Sequence, residues 1–246
     1  MEEYGPATYG DRIADVYDER VQLMGLDNDA AVEFLARLSA EVRASTVLEL
    51  AIGTGRIALP LKERGIDVHG IDISESMVAK LREKPGGSDI PVTMGNFADV
   101  PVEGSYKLIY LVFNTLFALL TQAEQIRCFE SVMAHLDPGG VFVIECFVPD
   151  IARFDRGQRV QTTHVSLDGV DLDVSVHHPA AQRVDSQHVS IEGDSMRTYP
   201  VFLRYAWPSE LDLMARLAGL SLRKRWGGWK QEPFGDDSGR HVSIYD

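Results

Sequence analysis

Between a run with strand character, Thr46-Val47-Leu48-Glu49-Leu50, and a helical run through Leu61 to Arg64, the chain carries Gly53-Thr54-Gly55. Two glycines so placed permit positive-φ backbone and let a nucleotide-like ligand approach the main chain closely. The same alternation recurs around this turn. Asn28 is expected to cap a helix whose Ala31, Val32, Phe34, Leu35 and Leu38 fall at helical spacing. Val68 to Asp72 has strand character, and Ser74 caps a helix carrying Met77, Val78 and Leu81. Leu108 to Phe113 is a continuous apolar run, the pattern of a strand covered on both faces. Thr121-Gln122-Ala123-Glu124 has capping-box spacing, and its helix ends at the turn Asp137-Pro138-Gly139-Gly140 before a strand from Val141 to Glu145. Repeated strand-helix-strand units imply an α/β fold with a parallel sheet and helices on both faces.

After Pro149 the period changes to two. Segments near 159–167, 171–178, 183–191 and 197–205, separated by Asp168-Gly169, Pro179-Ala180 and Gly193-Asp194, predict an inserted layer of antiparallel strands. Trp207-Pro208-Ser209-Glu210 then opens a helix through Leu220, and short strands at Ser221 to Arg225 and His241 to Tyr245 follow. The expected organisation is an N-terminal cap segment (1–27), a core made of 28–146 and 206–246, and an antiparallel β-insertion (147–205) acting as a substrate lid.

Composition excludes several partners. A formal net charge of −13, with no basic stripe, argues against a nucleic-acid partner. The longest apolar stretch, Leu108 to Leu120, is broken by Asn114 and Thr115 and is too short for a bilayer span, so no membrane association is expected. Met1-Glu2-Glu3 is acidic where a signal peptide would be basic, which points to a cytoplasmic protein. Cys128 and Cys146 sit in apolar segments, as buried thiols do, and adjacent His177 and His178 alternate in direction along a strand, so no metal site is expected.

Gly53 to Ala58 also fits G-x-G-x-x-G/A with Asp72 19 residues on, as in a dinucleotide fingerprint. Glu49 separates the two readings. At the end of the first strand its charge would oppose a pyrophosphate, whereas the ammonium group of S-adenosylmethionine would find in it a charge-assisted partner.

With these residues in view, the chain resembles the class I S-adenosylmethionine-dependent methyltransferases over most of its length. Glu49-Leu50-Ala51-Ile52-Gly53-Thr54-Gly55 is similar to the family's motif I, Asp72 to the acid that takes the ribose hydroxyls, and Leu136-Asp137-Pro138-Gly139-Gly140 to the turn before strand five. Gly95-Asn96-Phe97 occupies the place of the adenine-binding segment, with Asn96 where the family usually has Asp. The resemblance implies a Rossmann-like, doubly wound, seven-stranded and mostly parallel sheet with a terminal antiparallel strand and a β-insertion after strand five. It also implies S-adenosyl-L-methionine as cofactor, held by Tyr9, Tyr17, Glu49, Ala51, Gly53, Gly55, Asp72, Ile73, Asn96, Phe97 and Val112. Within the superfamily the arrangement is similar to the amino-sugar N,N-dimethyltransferases, through Ile13 to Asp18, Phe113-Asn114-Thr115-Leu116 and the insertion. Ala118 stands where those enzymes have a histidine.

The implied reaction is in-line methyl transfer to nitrogen or oxygen of a small-molecule acceptor, in which positioning and desolvation supply most of the catalysis. The alternatives are a protein or RNA methyltransferase and a non-catalytic cofactor-binding protein; a homodimer is compatible with either. Tyr9 and Tyr17, eight residues apart, are expected to share one helical face beside the sulfonium. On the strand 171–178, Leu172, Val174, Val176 and His178 share one face. If that apolar face roofs the pocket, His178 points inward as the candidate base, with Tyr17 as the second candidate catalytic residue. Trp226, Trp229 and Phe234 are candidate pocket walls.

Overall fold

A strand buried on both faces has to lie inside a covered sheet, and β1 (Thr46–Leu50), buried from Val47 to Leu50, sits in the interior of one. The computed structural model describes residues 4–23, 25 and 27–246, so the acidic start Met1-Glu2-Glu3 falls outside the described residues. The seven-stranded sheet has the order β10 (Leu222–Trp226), β11 (Arg240–Tyr245), β5 (Leu136–Phe147), β4 (Tyr106–Leu111), β1, β2 (Asp67–Asp72), β3 (Val92–Met94). β11 runs antiparallel to β5 and β10, and the other pairings are parallel.

Strand parity divides the core. Leu48, Leu50, Ile109, Leu111, Phe142 and Ile144 face α6 (Gln122–Ala134) and α7 (Pro208–Leu217). Val47, Leu108, Tyr110, Val141 and Val143 face α3 (Asn28–Glu41), α4 (Ala58–Glu63) and α5 (Glu75–Glu83). The caps on Ser74 and Thr121 form as expected, the latter as a reciprocal capping box with Glu124. The cap of α3 is Asp27, not Asn28, because the Asp27 carboxylate reaches the Ala30 amide while the Asn28 side chain accepts from Arg56. The turn expected before strand five is instead an irregularity within β5, where Tyr106 pairs with Leu136 and Leu108 with Val141.

Tyr9 and Tyr17 do not share a helix. The chain breaks into α1 (Thr8–Ile13) and α2 (Tyr17–Leu23), with a tight turn in which the Val16 amide donates to the Ile13 carbonyl at 2.9 Å. Tertiary contacts favour the break. Gly10 lies so close to Ser74 that a Cβ would fall 2.7 Å from the serine Cβ, and Asp11 accepts from Ser74 Oγ at 2.6 Å. Asp18, on the second helix, accepts from Thr54 Oγ1 at 2.6 Å and pairs with Lys84. One straight helix could not dock on both α5 and the glycine turn.

The insertion forms a separate antiparallel sheet in the order β6 (Gln158–Val165), β7 (Gly169–His178), β8 (Arg183–Glu192), β9 (Ser195–Arg204). Its attachment combines apolar packing of Val184, Leu203 and Tyr205 with a buried polar joint. Buried Arg204 donates to Gln125 Oε1 at 2.6 Å, to Glu210 Oε1 at 2.7 Å and to Gln182 Oε1 at 3.2 Å. Gln125 Nε2 donates back to the Arg204 carbonyl at 2.8 Å, and Gln122 and Gln182 both donate to Glu210. One guanidinium thus joins the end of β9, the β7–β8 connection, α6 and α7. Arg204→Met would strand Glu210 and Gln125 without their donor, a loss of about 3 kcal/mol. We expect a Tm roughly 6–12 °C lower by calorimetry, with Val174→Thr, remote from the network, within about 2 °C of wild type.

Candidate functional site

The site grows from the carboxyl edge of β1, where Ala51, Gly53 and Gly55 have φ of 54°, 57° and 79°. An added Cβ would meet nothing within 4 Å at Gly53, whereas at Gly55 it would fall 2.4 Å from Leu81. Gly53 therefore leaves an open backbone surface and Gly55 permits close packing onto α5. Asp72, at the end of β2, braces the turn: Oδ2 accepts from the Gly53 amide at 2.7 Å and Oδ1 from the Ser74 amide at 2.9 Å. Burial raises its pKa.

Glu49 is fully buried and accepts from Tyr110 Oη at 3.1 Å. Burial pushes its carboxyl up to about 8, although the nearby Arg56 charge and the Tyr110 bond oppose that rise. Among the described residues no Lys or Arg nitrogen comes within 4.0 Å of it. Arg56 stands across the cleft: its guanidinium carbon lies 5.2 Å from the centre of the Phe113 ring, it donates to Asn28, and its Nε is buried without a partner. Tyr17 has its phenol pKa raised by burial despite the charge of, and a hydrogen bond to, Arg56. Tyr9 is raised in the same way, and both tyrosines pack beside Ile13, Ala14, Met77 and Tyr199.

The other residues expected at the cofactor lie along this edge. Ile73 follows β2, and Val112 continues β4 into a cleft lined also by Asn28, Arg56, Phe113, Glu145 and Trp229. Asn96 lies beyond β3, where its Oδ1 accepts from the Ala98 amide at 2.9 Å, and Phe97 is buried in the core. Of the three candidate aromatic walls, Trp229 packs edge-on against Phe34 at 5.4 Å and borders the cleft, Trp226 lies under Lys224, and Phe234 stands beside His241.

Phe113 and Asn114 are consecutive left-handed residues, with φ of 58° and 62°. Such backbone persists only where its surroundings enforce it. Glu145, on β5, does so: Oε2 accepts from the Phe113 amide at 2.9 Å, and its carbonyl accepts from the Asn114 amide at 3.0 Å. Asn114 Oδ1 in turn accepts from the Phe147 amide at 2.6 Å. Arg240 lies 3.7 Å from the free Glu145 oxygen.

The expectation for His178 is overturned. Val160, Val174 and Val176 are 68%, 37% and 43% exposed, whereas Ser175 is 3% exposed, so the apolar face of β6 and β7 is turned outward. His178 points out with it, 48% exposed and 3.5 Å from Asp185. The alternation along the strand is as expected, but on β7 the buried face is the polar one. His177 is on that inner face, bonded to Tyr205 Oη at 2.9 Å and stacked on Phe154.

Sequence reasoning did not single out Arg56, although it directly follows Gly55, nor Tyr110, Glu145 or His188. Arg56 had a signal in its position; the roles of the other three come from strand register, which brings Tyr110 beside Glu49 and His188 beside Asp173.

Known proteins share both the sequence and the fold. A family described as "Methyltransferase domain" matches residues 47–140. The cypemycin N-terminal methyltransferase of a Streptomyces species is 30% identical over 194 residues, which cover 77% of this chain and 78% of that one. The dTDP-3-amino-3,6-dideoxy-alpha-D-glucopyranose N,N-dimethyltransferase of Streptomyces fradiae is 30% identical over 72% of this chain and 74% of its own. The solved CcbJ methyltransferase from Streptomyces caelestis superposes with a TM-score of 0.90 at 42% identity, over 98% of each chain.

The clasp between β4 and β5 is directly testable. Glu145→Gln keeps an acceptor for the Phe113 amide, whereas Glu145→Ala leaves that amide unpaired and should cost about 1–3 kcal/mol. Urea unfolding is expected to place the alanine variant well below the glutamine variant, which stays close to wild type.

Proposed function

The chain belongs to the S-adenosylmethionine-dependent methyltransferases, and from that premise we propose that it methylates an amine nitrogen of a small-molecule acceptor by in-line displacement. The observation that carries the cofactor side is Glu49, a carboxyl group buried at the end of the central strand with no Lys or Arg nitrogen among the described residues within 4.0 Å of it. A ligand ammonium would supply that charge. The partnerless Nε of Arg56 fits a ligand carboxylate, and the open face of Gly53 admits a ligand against the backbone.

Bound there, S-adenosylmethionine would supply a methyl group made electrophilic by its sulfonium. In our reading Glu49 takes the amino group and Arg56 the carboxylate at the methionine end. Asp72 accepts from the ribose hydroxyls with the lone pairs its two backbone donors leave free. Asn96 holds the adenine edge, Ala51 and Gly55 shape the loop, and Ile73, Phe97 and Val112 form the apolar walls. Tyr9 and Tyr17 close the cleft from above and exclude water. Both phenols stay neutral through the physiological range, so they act as polar surfaces and hydrogen-bond donors rather than as bases.

Nitrogen is favoured over oxygen because the two curated relatives cited above carry N-terminal and N,N-dimethyl transfer in their names. An amine needs only to lose a proton to become nucleophilic, so the absence of a base at Ala118 is tolerable, and His178, facing outward, takes no part. The β6–β9 sheet, in this reading, is the lid over the acceptor, which favours a small molecule over a protein or RNA.

Four outcomes are expected. Because Glu49 is largely protonated at pH 7 in the free protein, an arriving ammonium draws its pKa down. Adenosylhomocysteine binding then releases close to one proton and tightens as pH rises from about 6 to 8. Calorimetry in buffers of different ionisation enthalpy should detect that proton, and Glu49→Gln should abolish it. In the free protein the raised pKa has the opposite sign: the contribution of Glu49 to stability is present below the usual carboxylate range and is lost as pH rises through about 8. The Tm of Glu49→Gln should therefore fall less than that of wild type between pH 6 and 9. Asp72→Ala should weaken adenosylhomocysteine by about 1.5–3 kcal/mol through lost ribose hydrogen bonds, and unchanged affinity would remove Asp72 from the site. Transfer of labelled methyl to a library of small amines, with no transfer to matched alcohols, tests the nitrogen assignment.

A further inference from the structure

The outer face of the inserted sheet is apolar in an ordered way. Register lines up Val165, Val170, Ile191 and Met196 as one row across all four strands. The next row is Thr162, Leu172, Val189 and Thr198, and the one after it runs from Val160 and Val174 to Gln187 and Pro200. None of these three rows holds a charged side chain, although 25% of the chain is Asp, Glu, Lys or Arg. The opposite face of the same strands carries Asp171, Asp173, His188 and Arg197, so the segregation belongs to the face and not to the segment. The first row stands open to water: Val165 and Met196, at its two ends, are 69% and 68% exposed. Contiguous apolar surface of this kind marks a contact with another macromolecule.

A fourth row bounds the patch. It contains Val176 and Asp185, and Arg183 engages Asp185 through two hydrogen bonds of 2.6 and 2.7 Å, with His178 3.5 Å from the same carboxylate. At the β9 end of that row Tyr4 stacks on Phe202 at 4.2 Å, so this corner is covered from within the chain. An apolar centre bounded by compensated charges has the anatomy of an interface. The area is also sufficient. Four strands about 4.8 Å apart and four rows about 6.8 Å apart give a footprint of about 19 by 27 Å, roughly 500 Å² in plan. Ridged by side chains and extended by the exposed Leu167 at the β6–β7 turn, it presents on the order of the 600–800 Å² that each partner buries in a stable complex.

We propose that this face is the interface between two copies of the chain, packed sheet on sheet about a two-fold axis. With a net charge of −13, the chain repels its own copy over most of its surface, and along these rows two copies approach without bringing carboxylates together. Rows of aliphatic side chains are also self-complementary. A two-fold rotation sets one set of valine ridges against the other, with the strands of the two sheets crossing at about 30°. The polar face keeps its place toward the N-terminal helices, where Arg20 lies 4.0 Å from Asp171, so self-association and the cofactor cleft use opposite sides of one sheet. The proposal does not depend on the methyl-transfer reading.

The test is the mass of the full chain in solution, by sedimentation equilibrium and light scattering at roughly 1–50 µM. Wild type should show twice the chain mass of 27.3 kDa, or a higher even multiple. Val165→Asp combined with Met196→Asp places carboxylates where the single chain is already in water, so its fold tolerates them, yet the dissociation constant should rise at least about a hundredfold. Leu172→Asp should do the same from the centre of the face, and Val174→Thr, still uncharged, should keep the wild-type mass. Cys128 and Cys146 are buried, so Leu172→Cys supplies an accessible thiol of its own. A short bismaleimide should join two copies of Leu172→Cys, but not of Leu213→Cys on the exposed side of α7. Circular dichroism and adenosylhomocysteine affinity check the fold of each variant, and if the aspartate variants fail to fold, the two cysteine variants decide. A wild-type monomer at the highest concentration, a polydisperse mass that climbs without limit, a dimer that folded aspartate variants leave intact, or cross-linking of Leu213→Cys without Leu172→Cys would each overturn the proposal.

Discussion

Arg204 ties four parts of the chain together at one buried point. Its guanidinium bridges the last residue of the β6–β9 sheet to α6, α7 and the β7–β8 connection, and every donor it offers there ends on a side-chain oxygen. Burying a cation is costly unless its partners are complete, so the network tolerates few alternative geometries. The orientation of the whole four-stranded sheet follows from it, because Tyr205 and Ala206 next to it already belong to the main core. Were this joint apolar, the sheet could rock on α6 and α7, and its polar face would have no fixed relation to Tyr9 and Tyr17.

Strain at the rim is met in the same way, by local hydrogen bonds. Ala51, Phe113 and Asn114 occupy left-handed backbone without being glycine, at about 1–3 kcal/mol each. The Ile52 amide bonds to the Ile71 carbonyl after the first, and both chemical ends of Glu145, carboxylate and carbonyl, bind the other two. Both strained positions follow central strands at their carboxyl ends, where a parallel sheet opens its crevice. Less strained turns would carry the chain away from that crevice sooner.

The parallel core was legible because apolar runs, caps and glycine turns agree with one another there: Ser74, Thr121 and the Gly53 turn all do what local chemistry dictates. The β-layer was legible in strand number and approximate boundaries. Which of its faces is buried was not. The rule that apolar side chains point inward assumes that the whole sheet packs on a core; here Val184 and Leu203 near the joint do so and Tyr199 meets the N-terminal helices, but β7 turns Ser175 inward, so Val174 and Val176 mislead and Ser175 carries the signal. The break between α1 and α2 was equally hidden, since it depends on contacts of Asp11 and Asp18 with residues dozens of positions away. Glu49 could be read from charge logic at a strand end, whereas its donor Tyr110 sits in a run that reads only as apolar.

The two cysteines carry a consequence of a different kind. Cys128 on α6 and Cys146 on β5 are fully buried in the main core, and burial pushes the Cys128 thiol up to about 12 and Cys146 higher than its usual range as well. Thiolate is the reactive form, so neither sulfur is a nucleophile while the fold is intact. Peroxide, glutathione disulfide and maleimides meet an inert surface in the native state and two ordinary thiols in the unfolded one. Each cysteine is thus a clock for the opening of its own layer: alkylation of Cys128 times the release of α6, and that of Cys146 times the parting of β5 from β11.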